Sequence, residues 1–158
     1  MRVTADTSAS TTGVAGRGIV ARAGKADWRR IGSLYARLAL GTAFLSAVAS
    51  RLGLYGKGSS GWKGFLEYTA EVNSFMPAVT IPYLAWAATV AETSLGIALI
   101  LGFRLRWTAP AAAALLAIFG TAMAISFGIK SPMDYSVFSA SAAAVLLAIS
   151  ITAKEHAE

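Results

Sequence analysis

The run Ile81–Gly102, IPYLAWAATVAETSLGIALILG, constrains this chain more than any other stretch. A helix needs about 20 consecutive apolar residues to cross a bilayer, and this run supplies them. It also carries a carboxylate, Glu92, at its centre. A charge at mid-helix costs roughly 2.5–3.5 kcal/mol on insertion scales, so Glu92 requires a partner, a proton or a water-lined site. Ala85, Ala88, Glu92 and Gly96 form one stripe at helical spacing, with Trp86, Val90, Ile97 and Leu101 roughly opposite. Small residues allow close helix approach and bulky ones suit lipid, so the Glu92 face is expected to turn toward protein.

Three further segments complete the pattern. A first span is expected over residues 31–54, a third over 107–128 and a fourth over 133–152, with the second at 81–102. The fold class that follows is all-α, an integral membrane four-helix bundle over residues 31–153. Composition agrees: of 158 residues, 56% are hydrophobic and 14% are charged, against about 25% charged in an ordinary soluble domain. The third span is rich in alanine and has Gly120, which favours close packing. Met123 and Phe127 read as packing residues. Before the fourth span, Ser131, Pro132 and Asp134 resemble a capping box, with Asp134 as the acid favoured at a helix N-terminus.

Between the first two spans, Gly56, Gly58 and Gly61 mark a turn and Ser60 is placed to cap a short helix from Trp62 to about Phe75. Trp62, Phe65, Leu66, Thr69, Val72 and Met76 share one face; Lys63, Glu67, Glu71 and Ser74 share another. Lys63 and Glu67 make an i,i+4 pair. The segment is too short and too polar to span. It is expected to lie at the interface as an extracytoplasmic amphipathic helix, anchoring the protein or covering a site. Trp62, Phe65, Glu67 and Glu71 are its candidate interfacial residues.

The formal net charge of +6 reads as topology rather than nucleic-acid binding. Arg22, Lys25, Arg29, Arg30, Arg104, Arg106 and Lys154 flank one side of the spans. Lys57, Lys63 and Lys130 flank the other, offset in part by Glu67 and Glu71. The excess of basic residues predicts both termini in the cytoplasm of a cell (inner) membrane protein. Residues 1–30, rich in Ser, Thr, Gly, Ala and Arg, are expected as a disordered basic cytoplasmic tail. The same composition also suits an organellar transit peptide. Residues 154–158 form a short polar tail.

The chain has no cysteine and one histidine, His156. Disulfides, thiolate metal sites and cysteine redox chemistry are therefore excluded within it. Haem held by two histidines is excluded as well, and zinc or di-iron sites of the usual His/Glu kind fit poorly. No metal is expected, and no nucleophile–base pair is evident. The site candidates are Glu92 and two arginines of the first span, Arg37 and Arg51, which fall within ~40° of each other on a helical wheel. Each starts roughly 10 Å from the middle of the span. Either both extend to opposite headgroup layers, or one reaches inward to Glu92, Arg51 being the first choice and Arg37 the alternative.

With the spans placed, the chain resembles the DoxX family of small four-helix membrane proteins. The resemblance rests on LYARLALGTAFL in the first span, Arg51 at its end, WKGFLEYTAEVNSFMP between spans, and AETSLGIALILGFRLR with its central Glu92. The stretch MAISFGIKSPMDYSVFSASAAAVLL adds to it. The resemblance covers about Ser33 to Ile151. It implies association with thiosulfate oxidation feeding electrons to quinone, or with membrane complexes that handle oxidative stress. It also carries Arg37, Arg51 and Glu92 over as candidate functional residues. The chain is thus expected to be a subunit or scaffold of a membrane redox complex in contact with the lipid bilayer, with a protein partner or as a homo-oligomer. The alternatives are a quinone-interacting oxidoreductase component and a small-solute or proton pathway centred on Glu92.

Overall fold

The computed structural model describes residues 12–155, with side chains described from 28 to 153. The elements are α1 (Thr12–Arg51), α2 (Gly61–Val72), α3 (Ile81–Leu101), α4 (Leu105–Phe127), α5 (Lys130–Asp134) and α6 (Val137–Glu155), and no strand occurs among the described residues. By length and composition three helices can cross a membrane: Trp28–Arg51 within α1, Ala78–Leu101 around α3, and α4. Val137–Ala153 is a shorter apolar helix. The protein is a helical membrane bundle. Its outer surface bears Trp86, Val90, Leu101, Ile118, Ile125, Leu146 and Ile149, all exposed. So many large apolar side chains on the outside suit hydrocarbon rather than water.

The chain divides into two compact units, Met1–Leu34 and Tyr35–Glu158. In the first, residues from Thr12 onward belong to α1, so the disordered tail expected over residues 1–30 is helical from Thr12. A helix already nucleated extends at the cost of one residue fixed per bond gained, and the Ala and Arg of this stretch are good helix formers. The residues before Thr12 and the histidine at 156 lie outside the described residues.

In the second unit the helices pack as two close pairs. Gly41 and Gly96 bring α1 and α3 together: a Cβ on Gly41 would stand 2.9 Å from the Gly96 carbonyl oxygen and 2.7 Å from Ile100. Gly120 of α4 accommodates the ring of Phe138 from α6, which a Cβ would meet at 2.7 Å, and the Ser141 hydroxyl donates to the Ala113 carbonyl at 2.9 Å. The pairs join through a cluster of Leu40, Phe44, Leu99, Ala109, Ala112, Ala113, Ala144 and Leu147. Several of these lie next to the α3–α4 turn, so the bundle is tightest at that end.

The turn itself is a Schellman closure. Gly102 adopts φ 74, its N–H bonds the Leu99 carbonyl at 3.2 Å, and the Phe103 N–H bonds the Ala98 carbonyl at 2.8 Å. At the opposite end α2 bridges α3 and α4. Trp62 packs on Trp86 with centroids 4.7 Å apart, Tyr68 stacks on Phe127, and the Ser126 hydroxyl donates to the Val72 carbonyl at 2.6 Å.

Several local expectations are corrected. The first span ends at Arg51 rather than residue 54, and α2 stops at Val72 rather than Phe75, where Asn73 leaves helical geometry. Ser60 makes no side-chain cap; its N–H instead donates to the Ser50 hydroxyl at 3.1 Å, tying α2 to the end of α1. The fourth segment is broken into α5 and α6 by Ser136 at φ 55. Ser131 falls inside α5, which has no side-chain cap. Asp134 closes onto Lys130 one turn away rather than capping a helix.

Candidate functional site

Helix direction brings the site together. Side chains in an α-helix lean toward its N-terminus. Arg51 is the last residue of α1, so it leans back into the bundle. Glu92 sits in antiparallel α3, whose N-terminus lies at the same end, so it leans toward Arg51. The two meet: Arg51 Nη2 donates to Glu92 Oε1 at 2.8 Å. The same nitrogen lies 2.7 Å from Oε2, but without hydrogen-bonding alignment, and Oε2 is buried with no aligned donor. Arg51 retains 8% of its exposure and Glu92 3%. Two other groups hold the guanidinium. Nη1 donates to Thr89 Oγ1 at 3.3 Å, while that hydroxyl donates to the Ala85 carbonyl at 2.8 Å. The Phe65 ring of α2 lies 3.8 Å from the guanidinium carbon, a cation–π contact.

Arg37 is not part of this group. It points toward the other end of α1, where its Nε donates to the Leu99 carbonyl at 3.0 Å and its Nη2 to the Ile100 carbonyl at 3.2 Å. The last carbonyls of a helix lack intrahelical donors and carry partial negative charge, and Arg37 supplies donor and charge together. Its role is to cap α3.

Above the ion pair lies a cavity of about 520 Å³, formed where the helix pairs diverge under α2. Leu40, Ala43, Phe44 and Ala47 of α1 form one wall, and Leu84, Ala87, Ala88 and Ala91 of α3 another. Leu115, Leu116, Ile118, Phe119, Ala122 and Met123 of α4 close the third side. Phe65, Tyr68, Thr69 and Val72 of α2, with Asn73 just past its end, form the roof. The walls are aliphatic and aromatic, and polar atoms gather at the roof and at the Arg51–Glu92 pair. Ile118 and Tyr68 line the cavity and are also exposed, at 63% and 41%, so it opens to the surface beside both.

Of the amphipathic-helix candidates, Phe65 faces the site and Trp62 packs on Trp86. Glu67 and Glu71 are exposed, and Glu67 lies 3.9 Å from Lys63. Tyr68 and Asn73 were not singled out by the sequence pattern, because they flank the apolar face of α2 rather than lie on it. Burial, and after it Tyr135 and Glu71, push the Tyr68 phenol above its ordinary pKa. It therefore stands at the roof as a neutral hydroxyl.

The arrangement offers a buried cation–carboxylate pair at the end of an apolar chamber. Such a chamber suits a lipid-soluble molecule with a polar head. A search of curated proteins and of solved structures finds no match. A family model described as DoxX matches residues 32–129, well over half of the chain, and that stretch contains Arg37, α2, Arg51 and Glu92. By that match, and with the membrane helices it requires in place, the chain belongs to the DoxX family.

Proposed function

We propose that this chain is the membrane-embedded binding subunit of a redox assembly in the cell membrane, and that its cavity takes the head of a quinone-class molecule. The observation that carries the reading is the buried Arg51–Glu92 ion pair at the end of an aliphatic chamber. A quinone head needs a hydrogen-bond donor for a carbonyl oxygen and, once reduced, an acceptor for a hydroxyl. Arg51 is the donor and Glu92 the acceptor. The apolar walls receive the ring and the start of an isoprenoid tail, and Ile118 stands at an opening through which the tail reaches lipid.

When bound, a quinone supplies a two-electron, two-proton acceptor. The chain's own residues handle orientation and the proton: Arg51 fixes the head, and Glu92 holds or releases a proton at Oε2. With no cysteine and a single histidine, the chain offers no thiol relay, so the reading assigns electron delivery to a partner subunit. Short-tail ubiquinone should raise the thermal midpoint of the purified protein in mild detergent, as a ligand selective for the native state does. A matched alkyl compound without the head should not. Ala88→Phe, which fills the cavity beside the ion pair, should abolish the shift. Equal shifts for the two compounds would sink the reading.

A further inference from the structure

The tight end of the bundle and the open end differ in what can reach Glu92. Toward the α3–α4 turn, Leu99, Ala109 and Ala112 are fully buried and Leu40 and Phe44 nearly so. The next α3 residue toward that turn with a polar side chain is Thr93, whose hydroxyl is committed to the Thr89 carbonyl at 2.7 Å. Arg37, beyond the seal, is committed to the α3 carbonyls. Toward α2 the way is open instead: the apolar-walled cavity runs from Glu92 past Arg51 to Thr69, Asn73 and the exposed Tyr68 at the roof.

The titratable and charged groups on the elements around Glu92 are few. From α1 Arg51 faces it. From α2 come Tyr68 at the roof and Lys63, Glu67 and Glu71 on the outer face. Within Trp107–Phe127 of α4 and Val137–Ala153 of α6 there is none. A proton leaving Glu92 thus finds no titratable side chain within these spans toward the α3–α4 turn.

We propose that the Arg51–Glu92 site is open to one side of the membrane only, the side on which α2 lies, and that Glu92 exchanges protons with that compartment alone. The proposal deepens the quinone reading by fixing where its protons come from and go, but one-sided access stands on the seal and the open cavity by themselves. In coupled electron transfer, a site of this kind takes up or releases protons on a single face and so contributes to, or draws on, the proton gradient.

Because the native sequence has no cysteine, single-cysteine labelling reads access directly. Ser59→Cys, in the loop before α2, marks the α2 side, and Phe103→Cys, in the α3–α4 turn, marks the other. Ala88→Cys lies on the cavity wall one turn from Glu92, and Ala47→Cys on the α1 wall is an independent second probe. Each is treated with a cationic, membrane-impermeant methanethiosulfonate in right-side-out and in inverted vesicles. Ala88→Cys and Ala47→Cys should react in the preparation that labels Ser59→Cys, at least ten-fold faster than in the one that labels Phe103→Cys. Reaction in the Phe103 preparation, in both alike, or in neither overturns the proposal. Adding short-tail ubiquinone should slow the reaction several-fold. One-sided labelling without that protection leaves the sidedness standing and rejects quinone as the occupant.

Discussion

Arg51 touches Glu92 and Phe65 at once: one nitrogen is 2.8 Å from the carboxylate and the guanidinium carbon is 3.8 Å from the ring. The bundle's buried charge is thereby joined to α2, a helix outside the bundle proper. Removing one partner of a buried pair leaves the other charge uncompensated, typically at about 3–5 kcal/mol. Glu92→Gln should therefore lower stability in mild detergent sharply, and so should Arg51→Gln. The double variant should recover part of the loss. A double-mutant cycle with no coupling would reject the pair as an energetic unit.

Phe65→Leu keeps the apolar contact of α2 but removes the ring face. A cation–π contact is worth about 0.5–2 kcal/mol depending on desolvation. The change should loosen α2 while leaving the bundle folded. Limited proteolysis or hydrogen exchange across residues 61–72 should rise, with little change in α3 or α4. Protection unchanged in α2 would show that Trp62 and Tyr68 suffice to hold it.

Gly41 and Gly96 face each other, but their surroundings differ. A methyl on Gly41 meets the Ile100 side chain at 2.7 Å and the Gly96 backbone oxygen at 2.9 Å, whereas one on Gly96 meets Leu45 at 3.0 Å and the Gly41 backbone oxygen at 3.1 Å. Both meet a backbone oxygen, and the contacts at Gly41 are the tighter ones. Gly41→Ala should thus destabilise more than Gly96→Ala, by about 1–3 kcal/mol for an overpacked contact. Ile97→Leu on the exposed face should be close to neutral. Equal losses at Gly41 and Ile97 would contradict the packing.

Arg37→Ala should cost about 1 kcal/mol through loss of the α3 cap. Gly102→Ala should cost at least as much, since a non-glycine residue in the left-handed region is disfavoured by about 1–2 kcal/mol and the new methyl would meet the Arg37 guanidinium. The two changes should be less than additive, because removing Arg37 relieves the collision. Strict additivity in detergent unfolding would place Arg37 elsewhere.

The membrane orientation expected from the Lys/Arg distribution puts the α2 side outside and both termini inside. A cysteine at Ser59 should then react with an impermeant maleimide in intact cells, and one at Ser8 should not. The reverse pattern would invert the topology without altering the site.

The face of α3 was legible because a 3.6-residue period separates Ala85, Glu92 and Gly96 from Trp86, Val90 and Ile97 whatever the helix packs against. The two arginines of α1 could not be separated by depth alone, since both start a similar distance from mid-membrane. The lean of side chains toward the helix N-terminus separates them: Arg51 is carried into the bundle and Arg37 out of it, to the end of α3. The cavity left no mark in the sequence, because it is a gap set by how two helix pairs diverge rather than by any residue type. Ser60 and Ser131 have the chemistry of helix caps, but the backbone around them turns differently, and local propensity gave way to the tertiary path.

The chamber under α2 has a consequence for handling the protein. It is walled by aliphatic and aromatic side chains and opens to the surface beside Ile118 and Tyr68, so apolar molecules of the surrounding membrane or detergent can enter it. With no ligand bound, an acyl chain or detergent tail suits those walls and is the natural tenant. Every ligand measured on this protein is then an exchange against that tenant. Apparent affinities should weaken as lipid or detergent is added, and exhaustive delipidation should cost the bundle its outer half before it costs it the seal near the α3–α4 turn.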